Sequence, residues 1–456
     1  MKYPWVKERK KKVAEYFLYL GSANAERGDK AEGWANFSLF SLQKNRHNSS
    51  ALPWSAEIRF WDHRRGDLDM NIDAYKKYCT EIFSIQTWNG KIRDKRKRPV
   101  IGTDQVFHGI CQMPVLGQES FLAWDEYART PEALKWHGSD RTMVASDSSL
   151  ERIAGGMERY GIEQIGYEVT DKADEQALWD LKLPSGKKLR LGIVDGHHAG
   201  GIWASVLAIS GKVTGVVDLE RYRNRGCELE ASRRVLKRAF GKLGKGFFGI
   251  VGGDGLYATK EDFRLCLDHG SHLLVKTDEE TLTVVQDAKH LFHVQNANKL
   301  EGIFQHRGHD PKRDVDYEVM GSEGFQWQGH GLTVAWVQEW ALDSKTGVVE
   351  RTEFYVLTTA TGLTGKDLRE LAHLRWEIEN NIFKRLNHLI GSKRTWSRTA
   401  YVMEILLRIW MIGLTLLGAY LFEQGWKKFK ETWQTMKSTW RAVTRLMVRS
   451  LHQLVT

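Results

Sequence analysis

Cysteine, proline and long apolar runs are all scarce in this chain of 456 residues. None of the four cysteines belongs to a CxxC pair, so neither a disulfide framework nor a zinc ribbon is indicated, and we expect a reducing, intracellular compartment. Seven prolines and the lack of any low-complexity tract argue against a disordered or fibrous protein. With 42% hydrophobic residues the chain can bury a large core, so a folded protein of several lobes is expected.

Neither a secretory signal nor a membrane span is expected. The N-terminal sequence MKYPWVKERKKK lacks the apolar stretch of a signal peptide. The most apolar segment, residues 405–422, is interrupted by Arg408, and its uninterrupted part from Ile409 to Phe422 is shorter than the roughly 20 residues of a span. This segment is therefore predicted to be a buried helix, in a cytoplasmic protein that has no membrane partner.

Positive charge is concentrated towards the two ends of the sequence. Residues 1–100 carry a net charge of +9 and residues 391–456 carry +8, which leaves −7 in between. Basic clusters occur at Lys7–Lys12 and Lys91–Arg98, and further basic residues alternate with aromatic ones after residue 426. Such surfaces attract phosphate backbones, although any single cluster equally fits a solvated face. The distribution indicates a metal-binding catalytic core with nucleic-acid-binding arms.

The sequence pattern changes four times along the chain and predicts a mixed α/β protein. The order of predicted elements after residue 166 is three strands, a helix, a strand, a helix and a strand, which is typical of a ribonuclease H-like core. The predicted regions are a helical N-terminal DNA-binding region (1–165), the first part of the core (166–278), a β-rich insertion (279–362), the second part of the core (363–400) and a helical C-terminal region (401–456).

Several individual elements can be predicted within these regions. Ser146 is expected to cap a helix, and a single long helix is expected from Asp367 to Ile390. The sequence HLFHV, residues 290–294, is predicted to be a strand of the insertion. The predicted core strands are Leu189–Val194, Ile202–Ile209, Val213–Leu219, Phe247–Val251 and His272–Lys276, and the predicted core helices are Glu228–Phe240 and Lys260–Leu267.

Three acidic residues are candidates for one catalytic site. Asp195 follows the first predicted strand, and Asp254 follows the fourth. Either one alone would fit a turn or a helix cap, but neighbouring strand ends meet at one rim of a sheet, where two carboxylates can share a hard cation. Glu379 lies in the predicted helix beside its apolar stripe. Arg375 precedes Glu379 by one helical turn and therefore shares its face of the helix.

The stretches around these acids resemble the three catalytic blocks of the insertion-sequence 4 group of DDE transposases. They are IVDGHHAGG, IVGGDGLYATKEDF and LRWEIENNIFKRL. The second aspartate of that family is followed by a D-x-x-Y run, matched here by Asp254 and Tyr257. The family's glutamate block, R-W-x-I-E-x-x-F, resembles the stretch from Arg375 to Phe383 in the I-E-N-N variant, with Arg375, Trp376, Ile378 and Glu379 at matching positions and Phe383 one residue later than in the pattern. The resemblance covers about residues 190–400.

The resemblance implies a DNA transposase that uses Mg²⁺, with Mn²⁺ as a substitute. Asp195, Asp254 and Glu379 would hold two ions, water would cut the transposon end, and the freed 3′-OH would join target DNA. The implied partners are double-stranded DNA, as terminal inverted repeats and as target, and a second copy of the chain in a synaptic complex. The C-terminal helices, with Trp410, Trp426, Trp433 and Trp440, are expected to pair the two copies. No nucleotide cofactor is implied. The implied location is the cytoplasm, at the chromosome.

The expected DNA contacts are less specific than the three acids. Arg375 is expected to neutralise a phosphate, with a salt bridge to Glu379 as the alternative. Trp327 is a candidate for stacking on a flipped base, with ordinary core packing as the alternative. The remaining candidates for contact with DNA are Tyr257, Lys384 and Arg385.

Two positions depart from the family pattern. The family often has a tyrosine and a lysine where this chain has Ala372 and Leu386, which puts the usual phosphate contacts in doubt. Two other functions therefore stay open: a DNA-binding protein derived from a transposase, and a ribonuclease H-like nuclease that cuts without joining. His197 and His198 are interpreted as loop residues. Gly252 and Gly253 are expected to loosen the backbone or to let DNA approach.

Overall fold

The computed structural model describes residues 72–424, apart from residues 98, 138–143, 295–296 and 344–345, together with Met447. All of these residues belong to one compact unit. The predictions for the basic cluster Lys7–Lys12, and for pairing of protomers through Trp426, Trp433 and Trp440, fall outside the described residues. Elements are numbered below along the described part of the chain.

Helices account for most of residues 72–175. They bury apolar side chains at helical spacing, for example Leu150, Ile153 and Ala154. Ser146 caps one of these helices by accepting a hydrogen bond from the Ser149 amide, as predicted from the sequence. The bounds are Ile72–Phe83 (α1), Thr103–Leu116 (α2), Phe121–Ala128 (α3), Pro131–His137 (α4), Asp147–Gly156 (α5) and Arg159–Glu175 (α6).

A nine-stranded mixed sheet follows, together with a small two-stranded sheet of Leu181–Lys182 (β1) and Lys188–Leu189 (β2). The large sheet has the order β5-β4-β3-β6-β7-β11-β10-β9-β8. Its β3–β6 and β6–β7 pairs are parallel, and the other pairs are antiparallel. The strands are Leu191–Ala199 (β3), Ile202–Ser210 (β4), Thr214–Tyr222 (β5), Ile250–Asp254 (β6), His272–Thr277 (β7), Ile303–Asp310 (β8), Val315–Trp327 (β9), His330–Leu342 (β10) and Val349–Thr358 (β11).

Further helices pack on this sheet, and the predicted mixed α/β class is confirmed. The bounds are Glu228–Leu243 (α7), Lys260–Asp268 (α8), Thr283–Phe292 (α9), Gly365–Leu374 (α10), Lys384–Ile390 (α11) and Ala400–Gln424 (α12), with a π-helical segment at Ile378–Phe383 between α10 and α11.

The region after β7 differs from the sequence prediction at one segment. HLFHV is not a strand, because His290, Leu291 and Phe292 end helix α9, in which Val285 and Ala288 are buried at helical spacing. The rest of the region is rich in strands, as predicted. Its four strands β8–β11 continue the nine-stranded sheet, because β11 pairs with β7.

The predicted single helix from Asp367 to Ile390 is also wrong. It is divided by a turn at Arg375 and Trp376 and by the π-helical segment. In addition, His197 and His198 do not lie in a loop, because strand β3 continues to Ala199 and pairs these residues with β4.

The apolar segment near residue 410 is helix α12, and it is the buried helix that the sequence predicted. Among the described residues, this helix is the one that is long and apolar enough to cross a membrane. However, 94% of its most apolar stretch is buried in the fold. Arg408 in its middle is buried and forms ion pairs with Asp218, Glu163 and Glu404. Trp410 is also fully buried and contacts Trp396 within the same chain.

Candidate active site

Asp195 and Asp254 lie on neighbouring parallel strands. The β3–β6 ladder pairs Leu191 with Ile250 and ends at Ile193 with Gly252. Both aspartates lie two residues beyond that last pair. The Asp195 carboxylate accepts the Gly196 amide at 2.8 Å, and the Asp254 carboxylate accepts the amide two residues later at 3.0 Å. The two aspartates therefore lie at the same level of neighbouring strands. Asp254 is the last residue of β6, as the sequence predicted, whereas Asp195 lies in the middle of β3, which continues to Ala199.

Glu379 belongs to the π-helical segment. The Lys384 amide donates to the Glu379 carbonyl five residues earlier, which is the hydrogen bond of a π-helix. The ring of Phe383 stacks on His197 of β3, with ring centroids 4.0 Å apart and ring planes 13° apart. This contact fixes the segment that carries Glu379 against the strand that carries Asp195. Single π-helical turns are rare in proteins and often occur at functional sites.

Arg375 joins two of the acids. Its guanidinium lies 3.4 Å from the Asp195 carboxylate and 3.7 Å from that of Glu379. The Arg375 side chain is only 10% exposed, whereas the Glu379 side chain is 46% exposed. The Arg375 Nε atom is buried and has no hydrogen-bond partner in the described structure. The salt bridge to Glu379 is thus present, although the shorter contact is to Asp195.

The charge balance at this site disfavours ionisation of Asp195. Burial raises the pKa of Asp195 to about 7, and the nearby carboxylates of Asp254 and Glu379 add to the rise. Arg375 acts in the opposite direction but does not outweigh them. The three acids are therefore close enough to repel one another, and one arginine leaves the negative charge only partly balanced.

The donor chemistry of these residues fits a hard divalent cation. Three carboxylates with unbalanced negative charge are the oxygen ligands that Mg²⁺ and Mn²⁺ prefer. Across the described ranges, no group of three His, Cys, Asp or Glu side chains is arranged to hold a metal ion. The Asp195 and Glu379 carboxylates instead share the positive charge of Arg375.

Lys276 is a neighbour of the site that the sequence did not reveal. It pairs with Asp254 in the β6–β7 ladder. Its ammonium nitrogen lies 3.9 Å from the ring centroid of Phe354 and 4.0 Å from that of Trp376. Burial, with a contribution from Arg375, lowers the pKa of Lys276 to about 8. The signal that would have found it is the register of β7 against β6, which places residue 276 beside Asp254.

Two predicted DNA contacts are enclosed by the protein. Tyr257 is 1% exposed, and its hydroxyl donates to the Glu228 carboxylate at 3.0 Å. Trp327 is 7% exposed and makes an edge-to-face contact with Phe263, with ring centroids 5.9 Å apart. Neither ring presents a surface on which a base could stack. The exposed tryptophan of this region is Trp376, at 42%.

The predicted basic contacts follow Glu379 on the same helical stretch. Lys384 is exposed, and its ammonium donates to the Asn380 side chain at 2.6 Å. Arg385 donates to the Asn381 side chain, and burial lowers the pKa of Arg385 to about 10. Lys384 is therefore the one of these two side chains that faces solvent.

Both departures from the family pattern are core residues. Ala372 and Leu386 are each 0% exposed. A tyrosine or a lysine could not occupy these positions without displacing the surrounding core. The helical stretch around Glu379 thus uses them for packing and leaves positive charge near the acids to Arg375 and Lys276.

Comparison with known proteins finds no protein-family model that matches the chain and no curated protein that matches it significantly.

Proposed function

We propose that this chain is a DDE transposase resembling those of the insertion-sequence 4 group, with a ribonuclease H-like core. The order β5-β4-β3-β6-β7, with three antiparallel strands followed by two parallel ones, supports this assignment. Under this proposal the strands β8–β11 are the insertion, and Arg375 begins the glutamate block.

The observation that carries the proposal is the meeting of three acids from distant parts of the sequence. Asp195, Asp254 and Glu379 interact electrostatically, and Arg375 contacts the first and the last of them. Packing alone gives no reason to place three carboxylates together, because their repulsion costs folding free energy. Such an arrangement is expected where negatively charged residues serve chemistry.

The three carboxylates would hold divalent ions, which activate a hydroxyl nucleophile and stabilise the leaving 3′ oxygen in phosphoryl transfer. Asp195 and Asp254 stand on the rigid sheet and would fix the site, while the more exposed Glu379 completes it from the helical side. In the first step water is the nucleophile and the transposon end is cut. In the second step the freed 3′-OH attacks a phosphodiester of target DNA, and the bridging 3′ oxygen of the target strand leaves.

Positive side chains would bind the DNA backbone next to the acids. Arg375 contacts the carboxylates of Asp195 and Glu379, Lys276 pairs with Asp254 in the sheet, and Lys384 is exposed on the following helical turn. Their contacts would position a phosphodiester without reading its sequence. Reading of inverted repeats and pairing of two copies are assigned by this proposal to the terminal regions.

The first experiment is to sequence the DNA that flanks the gene and to search it for short inverted repeats bordered by direct repeats. Oligonucleotides with these ends then serve as substrates for the purified full chain. We expect Mg²⁺-dependent cleavage and strand transfer. Both should fall at least about 1,000-fold in Asp254→Ala and Glu379→Gln, as expected when groups that stabilise the transition state are removed.

A matched control is Asp268→Ala, which removes an exposed carboxylate at the end of α8. This variant should cleave like the wild type. Cleavage without strand transfer would assign the chain to the nucleases, and specific binding without cleavage would assign it to the non-catalytic DNA-binding proteins. Cleavage that survives in Asp254→Ala would remove the basis of the proposal.

A further inference from the structure

We propose that Glu228 is a positioning residue that holds Asp195 and Asp254 at a fixed separation through the hydroxyl of Tyr257. This inference rests on the proposed function, because it concerns the site that those two aspartates form. Glu228 begins helix α7, and Tyr257 ends the short turn that follows Asp254.

The backbone does not fix this separation. The ladder between β3 and β6 ends at Ile193 and Gly252, two residues before the aspartates. Beyond that pair, β3 stays bound to β4, and β6 stays bound to β7. The two strands therefore reach the site without hydrogen bonds to each other, and side chains must connect them.

Glu228 and Tyr257 make that connection. The Tyr257 hydroxyl donates to one carboxylate oxygen of Glu228 at 3.0 Å, and the Tyr222 hydroxyl donates to the other at 3.0 Å. The Tyr257 hydroxyl is also 3.0 Å from the hydroxyl of Ser232, which in turn lies 2.8 Å from that of Ser205. Tyr257, Ser232 and Ser205 are almost fully buried. Every hydroxyl of the group has a partner, so the connection is rigid.

Two glycines next to the aspartates leave the room that this pair occupies. A Cβ atom on Gly196 would collide with the carboxylate of Glu228. A Cβ atom on Gly253 would lie 2.8 Å from the ring of Tyr257. The absence of a side chain thus lets Glu228 lie against the backbone of Gly196 in β3, and lets Tyr257 lie against the backbone of Gly253 in β6. The space beside Gly253 is not open to DNA, because the ring of Tyr257 already fills it.

Glu228 and Tyr257 can thus position the two aspartates by supporting the strands that carry them. The strand around Gly196 rests on Glu228, the strand around Gly253 rests on Tyr257, and the hydrogen bond between the two side chains sets the distance. Residues that orient metal ligands without touching the metal contribute about 10- to 100-fold to metal affinity. We expect an effect at the lower end of that range, because each aspartate also accepts a backbone amide.

The test measures Mn²⁺ binding to the full chain without DNA. Electron paramagnetic resonance reports the concentration of free Mn²⁺ during the titration. Tyr257→Phe removes only the hydroxyl and should weaken Mn²⁺ binding about 10-fold. Tyr401→Phe is the matched control, because its hydroxyl donates to the Met157 carbonyl at 2.6 Å, outside the group. It should bind Mn²⁺ like the wild type. Each variant is also checked for a cooperative thermal transition.

Substitutions of Glu228 separate positioning from direct ligation. Glu228→Gln keeps an oxygen that accepts the Tyr257 hydroxyl, so it should bind Mn²⁺ within about twofold of the wild type, whereas Glu228→Ala should weaken binding about 10-fold. The double variant Glu228→Ala with Tyr257→Phe should be no weaker than either single variant, because both remove one connection. Should Tyr257→Phe fail to fold, the Gln and Ala variants of Glu228 decide in the same way.

The outcomes distinguish this inference from the proposed function. Wild-type binding in both Tyr257→Phe and Glu228→Ala would overturn the inference, as would loss of binding in Glu228→Gln with normal binding in Tyr257→Phe, which would make Glu228 a ligand. Asp195→Asn tests the site itself. If Asp195→Asn binds Mn²⁺ like the wild type, the cation site of the proposed function fails. If it loses binding while the Glu228 and Tyr257 variants keep theirs, only the positioning role fails.

Discussion

Asp195 and Asp218 lie in the same sheet and face opposite electrostatic surroundings. Asp218 on β5 accepts Arg238 at 2.6 Å, Arg408 at 2.7 Å and the Tyr167 hydroxyl at 2.7 Å. Asp195 on β3 has a single arginine at 3.4 Å and two other carboxylates nearby. Both side chains are largely buried.

The pKa values of the two aspartates move in opposite directions for this reason. Burial acts to raise the pKa of Asp218, but Arg408 and Arg238 outweigh it and leave the pKa below its ordinary value. At Asp195, burial and like charge together outweigh Arg375. A buried aspartate that serves the fold is surrounded by its partners, whereas one that serves a site keeps part of its charge unbalanced.

The largest expected effect comes from making the same substitution at both aspartates. Asp218→Asn removes the counter-charge that buried Arg408 and partly buried Arg238 share, so it should lower the free energy of unfolding by about 3–5 kcal/mol. Asp195→Asn removes a buried carboxylate that its neighbours repel, so it should raise the free energy of unfolding at pH 7, by no more than about 4 kcal/mol. Urea unfolding at pH 7 with EDTA measures both. Equal losses in the two variants would contradict the comparison.

A smaller effect is expected in the pH dependence of stability. The folded-state pKa of Asp195, about 7, lies above the unfolded value of about 3.9, so between these values the folded chain binds more protons. This group therefore lowers stability progressively from pH 4 to pH 7, by no more than about 4 kcal/mol, and adds no further change above pH 7.

The difference in unfolding free energy between wild type and Asp195→Asn isolates this contribution. Measured with EDTA, the unfolding free energy of the wild type should fall relative to that of Asp195→Asn as the pH rises to 7. Above pH 7 the difference between the two should stay constant. The pKa of Asp218 is lowered instead, so its stabilising effect is present at neutral pH and is lost as the pH falls through its folded-state pKa in acid. A pH-independent difference at Asp195 would show that neither burial nor the neighbouring carboxylates raise its pKa.

The smallest effect is expected at the edge of the Asp218 cluster, the group of ion-paired residues formed by Asp218, Arg238, Arg408 and Glu220. Arg234 is 48% exposed and lies 3.1 Å from Glu220, which also contacts Arg238. Arg234→Ala should lower the free energy of unfolding by less than about 1 kcal/mol, because water screens an exposed ion pair. The same urea titration measures it. A loss comparable to that of Asp218→Asn would show that the cluster extends to the surface.

Much of the sheet could be predicted because alternating and apolar strand patterns are local. The sequence indicated strands β3 to β7 and placed Asp254 at the end of β6, although β3 continues past Asp195 to Ala199. The error at HLFHV arose because a short apolar run does not distinguish a strand from the end of an amphipathic helix. The packing of α9 residues such as Val285 and Ala288 decided the outcome.

The support around the site could not be predicted, because it depends on contacts between distant residues. Nothing local marks Glu228 as the partner of Tyr257, 29 residues later. Lys276 becomes a neighbour of Asp254 only through the register of β7. The break in the predicted helix before Glu379 was also invisible, since Leu371, Ile378, Ile382 and Leu386 continue an apolar stripe through the turn and the π-helical segment.

The π-helical segment makes the direction of Glu379 sensitive to a change of one codon. Its hydrogen bond from Lys384 to Glu379 encloses one residue more than an α-helical turn does. Deleting one residue from Ile378–Phe383 would let the segment close as a regular α-helix, because a turn that closes on the fifth residue holds one residue more than an α-helical turn. Helices α10 and α11 would keep their facing, but the backbone around Glu379 would tighten and change the direction of its carboxylate, while every acid remained in the sequence.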